Sequence, residues 1–125
     1  MGIGTGKAVR QFGGRGMFAI VKVEATSAKS GLTNTVDPAA TNAQGATEYL
    51  SAVTVGIQYG WEKLNRYKRG DGAAVKVLEI TPLPVDTTQI TMVYAAALAT
   101  WDALQLQPEH PIVLDSERRT INFPV

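Results

Sequence analysis

The sequence predicts an α/β domain of the α+β kind, a two-layer sandwich in which one β-sheet carries helices on a single face. Three observations lead there. In the stretch from Met17 to Ala25, Ala19, Val21, Val23 and Ala25 fall on one side, and Phe18, Ile20, Lys22 and Glu24 on the other. That is the two-residue period of a half-buried strand. Two later stretches step by three or four residues instead: Leu50, Val53, Ile57, Trp61 and Leu64, then Ile90, Val93, Tyr94, Ala97, Leu98, Trp101 and Leu104. Each makes an apolar helical stripe. The resulting order is strand, strand, short strand, helix, strand, helix and tail over 125 residues. This length suits one domain, 1–125, around one core.

Taken from the start, Gly2, Gly4 and Gly6 with Lys7 superficially resemble a phosphate loop. They lack its glycine spacing, its following Ser or Thr and its preceding strand, so they read as a flexible beginning. Lys7 to Phe12 can form a first strand, and Gly13-Gly14-Arg15-Gly16 is turn chemistry leading into Met17. Glycines there adopt positive φ without steric cost, and a short link between two strand patterns reads as a hairpin.

Residues 26–46 are rich in Ser, Thr, Asn and Ala and read as an irregular, mobile connection with a short strand at Leu32 to Val36. Thr47 is the predicted N-cap of the first helix. Gly56 and Gly60 interrupt that helix near its apolar face, which predicts close backbone packing against the sheet as compensation for their poor propensity. A basic loop follows, with Lys63, Arg66, Tyr67, Lys68 and Arg69. Ala73 to Ile80 is the next strand, closed by Pro82 and Pro84. Asp86 and Gln89 have the spacing of a capping box for the second helix. The core so defined spans about 6–104, and 105–125 is a C-terminal extension with β-prone runs at Ile112 to Leu114 and Thr120 to Phe123.

Composition narrows the function. No apolar run approaches the ~20 residues of a membrane helix, and there is no apolar leader. Cysteine is absent, which removes disulfides and thiolate chemistry. The expected setting is cytoplasmic, away from membranes. Net charge is only +1, so nothing marks a DNA binder, and any RNA contact must come from a local patch or from shape. His110 is the sole histidine, beside Pro111, with no second metal ligand of its kind. The carboxylates are scattered without the paired spacing of acid–base catalysis. The expectation is a non-enzyme without metal or cofactor, with Trp61 and Trp101 as core anchors.

The run Gly6-Lys7-Ala8-Val9-Arg10-Gln11-Phe12-Gly13-Gly14-Arg15-Gly16-Met17-Phe18 resembles the opening of domain IV of translation elongation factor G. In that family a strand ending Val-Arg-Gln-Ser enters Gly-Gly-Arg-Gly and then a second strand. The likeness continues through Tyr49-Leu50-Ser51-Ala52-Val53 with Gly56-Ile57, through Val75-Lys76-Val77, and through Val85-Asp86-Thr87-Thr88-Gln89. It implies the two-layer fold shared with the second domain of a small-subunit ribosomal protein, here without the GTPase. It also implies a tip that enters the ribosomal decoding site. Carried over by position, the RNA-binding tip is Gly13, Gly14, Arg15 and Gly16 with Pro82, Leu83 and Pro84. The second of these loops is shorter than the family's, and its prolines stand where the family has a histidine and an aromatic residue. The basic loop lies at the other end of the Ala73–Ile80 strand, about 25 Å away. There Lys63, Arg66, Tyr67, Lys68 and Arg69 suit a second, single-stranded RNA patch or simply a solvated loop.

Two functions remain open on these grounds. One is a translation-related accessory module that binds the small ribosomal subunit or its rRNA. The other is a protein-interaction or structural module reusing the fold, homo-oligomeric through the C-terminal strands added to its own or a neighbour's sheet.

Overall fold

The computed structural model describes residues 2–12, 15–64, 72–83, 85–115 and 120–124, with the backbone alone at 11, 12 and 15. Strand β1 (Ile3–Phe12) turns into the long β2 (Arg15–Ala28), and β3 (Gly31–Val36) follows. Two 3-10 turns, Pro38–Thr41 and Ala46–Tyr49, lead to helix α1 (Leu50–Glu62). Then come β4 (Gly72–Pro82), helix α2 (Gln89–Leu104) and the short strands β5 (Val113–Asp115) and β6 (Thr120–Asn122). The main sheet runs β1-β2-β4-β3, antiparallel except for the parallel β3–β4 pair, whose crossover carries α1. Helix α2 lies over β1 and β2, and α1 beside it toward β3. This is the mixed α+β sandwich that the periodicities predict.

The start of the chain is not flexible. Gly4 and Gly6 belong to β1 and lie under α2. A Cβ on Gly6 would overlap the Ala95 carbonyl oxygen and stand 2.6 Å from the Ala99 nitrogen; one on Gly4 would stand 2.7 Å from the Ala103 Cα. Strand and helix therefore meet backbone to backbone, through glycines on one side and the i, i+4, i+8 alanines 95, 99 and 103 on the other. The other flank of α2 receives α1. Gly56 and Gly60 pack against Ala96, Ala97 and Thr100 of α2, so their compensation comes from a helix–helix contact rather than from the sheet. Wedged on both flanks, α2 is buried almost all round, including Thr91, Ala95, Ala96, Ala97, Ala99, Thr100 and Trp101.

Other expectations change in detail. The connection after Ala25 is ordered: β2 continues to Ala28 and the 3-10 turns occupy much of 38–49. Thr47 sits inside the second turn, its carbonyl accepting from Leu50, and α1 starts only there. Strand β4 runs two residues past Ile80, so Pro82 is its last residue instead of lying beyond its end. Its alternation also slips. Lys22 faces Glu79 but Val23 faces Val77, leaving Leu78 as an extra residue. This bulge places Ala73, Val75, Val77 and then Ile80 in the core, where strict alternation would have buried Glu79. Finally, β5 and β6 pair with each other and do not extend the main sheet. Their ribbon packs on the helices, with Phe123 edge-on to Tyr59 at 5.4 Å and the Tyr59 hydroxyl donating to the Pro124 carbonyl at 2.7 Å. Burial under this ribbon raises the pKa of the Tyr59 phenol.

Candidate functional site

Both segments assigned to the tip lie at one end of the sheet, and a short hydrogen-bond chain joins them. The Phe18 amide of β2 donates to the Asp86 carbonyl at 3.1 Å. The Thr87 hydroxyl donates to the Phe18 carbonyl at 2.5 Å and accepts from the Leu83 amide at 2.7 Å. Thr87 is 7% exposed, so both its roles are played away from water. In effect Leu83, Asp86 and Thr87 prolong the pairing of β2 beyond Ala19 and Pro82, the last register pair of β2 with β4. This explains why Asp86 is not the cap of α2. Its main chain is engaged by the sheet, and the box is made by Thr88 and Thr91, with Thr88 Oγ1 accepting from the Thr91 amide at 3.2 Å and Thr91 Oγ1 from the Thr88 amide at 3.3 Å. Gln89 reaches across to the Glu48 carbonyl at 3.3 Å. The Tyr49 hydroxyl donates to the Thr87 carbonyl at 3.3 Å, so the turn before α1 buttresses the loop from behind.

The surface of this end mixes apolar and charged groups. Val85 is 92% exposed and Leu83 42%. A Cβ at Gly16 would stand 2.8 Å from Asp86 Oδ2, so the carboxylate rests against bare backbone there. Val9, Arg10, Gly16, Met17, Phe18 and Asp86 line an open groove of about 250 Å³. The Arg10 guanidinium folds back to the Val9 carbonyl at 3.2 Å. Of the sequence-assigned tip residues, Gly16, Pro82 and Leu83 are thus brought together. Gly13, Gly14, Pro84 and the Arg15 side chain lie outside the described residues.

The same holds for most of the second patch. Arg66, Tyr67, Lys68 and Arg69 lie outside the described residues. Lys63 closes α1, with its ammonium 5.4 Å from the centre of the Tyr59 ring. Ten residue steps of β4, from Gly72 to Pro82, separate this end of the molecule from the tip by about 33 Å. Among the described residues no three of His, Asp and Glu converge to hold a metal, and His110 is exposed. Among the described residues no helix is long and apolar enough to cross a membrane.

Thr87 is the residue that sequence reading passes over, since a threonine near a helix start reads as a cap. We expect Thr87→Val, which keeps shape but strands the Leu83 amide and Phe18 carbonyl, to lower stability by about 1–3 kcal/mol. Thr87→Ser should restore most of it. Chemical denaturation of the three proteins checks this, and equal stability of Thr87→Val and the parent would remove Thr87 as the joint of the tip.

These features define the class: an α+β two-layer domain whose candidate site is formed by two loops at one end of its sheet. No protein-family model and no curated protein matches the sequence. Among solved structures, a protein of Thermus thermophilus is similar over 79% of this chain at 23% identity, with a TM-score of 0.61; the chain spans 15% of that protein's length. At that identity the likeness speaks for the fold alone.

Proposed function

We propose that the chain is a domain similar to domain IV of elongation factor G, and that it binds the small ribosomal subunit or its rRNA through the tip without hydrolysing GTP. The observation that carries this reading is the chain of bonds from Phe18 to Asp86, Thr87 and Leu83. It ties β2, two residues beyond Gly16, to Leu83, Asp86 and Thr87, and so holds together described parts of the two regions that the resemblance assigns to RNA contact. Contacts already made on folding suit insertion into a preformed RNA cleft, because ordering costs are then met on folding and not on binding. The glycines of the hairpin admit close backbone approach. Among the described residues β1 carries only Lys7 and Arg10 as cations, and Arg15 opens β2, so shape contributes more than charge to the predicted complex.

The test is co-sedimentation with isolated small subunits across a salt series. With about three phosphate contacts the logarithm of affinity should fall with that of salt at a slope of about −2. A Gly13→Asp/Gly14→Asp variant that folds normally should lose the binding. Absence of binding at low salt, or undiminished binding by the variant, would overturn the reading.

A further inference from the structure

The two edges of the main sheet are treated differently. On β1, the Thr5 amide is capped by Asp102 Oδ2 at 3.0 Å, the Arg10 guanidinium covers the Val9 carbonyl, and Lys7 projects from the exposed side. Charge and side-chain caps of this kind stop edge strands from recruiting others. At the opposite edge, β3 reads Gly31-Leu32-Thr33-Asn34-Thr35-Val36, with no charge and no proline. Among the described residues it pairs only with β4 and ends the sheet.

That bare edge is also self-complementary. Read outward from Asn34 in either direction, the strand runs threonine and then an aliphatic residue. A two-fold axis at Asn34 would set Thr33 opposite Thr35 of a second copy and Leu32 opposite its Val36, both favourable cross-strand pairs, with no like charges meeting. One further observation points to the same place. Asn34 Oδ1 is buried and has no hydrogen-bond partner, a state that is costly unless a donor arrives. Directly opposed residues in an antiparallel pair hold their Cβ atoms about 5 Å apart. Asn34 Oδ1 is covered within its own chain, so it meets the Asn34 amide of a second copy only once its side chain turns out to the edge, where that spacing suits the bond.

We propose that β3 is a homodimer edge: two copies join antiparallel through Leu32–Val36 about a two-fold axis at Asn34, making one eight-stranded sheet. The contact is isologous, so it uses up both β3 edges, and the capped β1 edges prevent growth into fibres. It leaves the tip free, and stands or falls separately from ribosome binding.

Sedimentation equilibrium of the chain up to about 1 mM populates even a dimer with a dissociation constant of about 100 μM. Dimer is expected. Thr33→Lys/Thr35→Lys would bring lysines face to face twice and should weaken it about 10-fold or more. Thr33→Lys/Thr35→Glu in the same chain sets opposite charges across the axis and should keep it. Positions 33 and 35 are exposed, and far-UV circular dichroism verifies that both variants fold. A monomer at the highest concentration overturns the proposal. So does a dimer that responds to neither double variant, or equally to both.

Discussion

Replacing Gly6 by valine should destabilise the protein strongly, by about 3 kcal/mol or more. In an ordinary strand the change would help, because glycine is a poor strand former and valine a good one. The contact with α2 reverses the sign. Any Cβ at position 6 falls on the Ala95 carbonyl and the Ala99 amide, which are main-chain atoms held in a helix and cannot rotate away. Either β1 leaves the sheet or α2 lifts from it, and α2 is the most deeply buried element. Overpacking a core generally costs about 1–3 kcal/mol, and backbone obstruction puts this case at about 3 kcal/mol or more. Against a total of about 5–15 kcal/mol, that lowers the melting temperature by about 10 °C or more. Two controls sharpen the expectation. Gly6→Ala should already be destabilising. Ala95→Gly should not rescue either variant, since the obstruction is the Ala95 carbonyl and not its methyl group. Rescue by that second change would mean that side-chain volume, and not backbone approach, sets the spacing of strand and helix.

These glycines also show where sequence reading stops. Periodicity reports which side of an element is apolar, and it places β2, α1, β4 and α2 because Ala19 to Ala25, Leu50 to Leu64, Ala73 to Val77 and Ile90 to Leu104 each carry one unbroken period. It does not report how near a neighbour comes. Gly4 and Gly6 show no hydrophobic signal, so the first third of β1 reads as a loose beginning. Gly56 and Gly60 read as packed, but toward the sheet, because a stripe names a buried side without naming what covers it. The bulge at Leu78 is readable in principle: an alternation that would bury Glu79 and expose Ile80 asks for one extra residue. In the candidate site, the hairpin and loop follow from the resemblance. The joint between them does not, because it depends on Thr87 bonding to residues 4 and 69 positions away. The cap of α2 is displaced for a related reason. Asp86 and Gln89 have suitable spacing, but the sheet claims the Asp86 carbonyl first.

The second large effect is expected at Trp101, which is 3% exposed. Its indole N–H donates to the Gly60 carbonyl at 2.9 Å. Gly60 lies in the last turn of α1, where helix carbonyls lack partners within the helix, and the indole supplies one. One side chain thus fills the space between the helices and completes the end of α1. Trp101→Ala loses both functions and should cost about 3–5 kcal/mol. Trp101→Phe keeps most of the apolar volume but leaves the carbonyl unpaired, at about 1–3 kcal/mol. Thermal melts rank the two, and amide hydrogen exchange separates their causes. In Trp101→Phe, faster exchange should be confined to the last turn of α1 and the residues after it. Uniform acceleration would show a general loss of packing instead. The same variant divides the two candidate RNA surfaces. The end of α1 leads to Lys63 and the basic loop, whereas the tip is at the far end of β4. If the tip carries ribosome binding, folded Trp101→Phe should sediment with small subunits as the parent does. Loss of sedimentation at unchanged overall fold would move the binding surface to the Lys63–Arg69 end of the molecule.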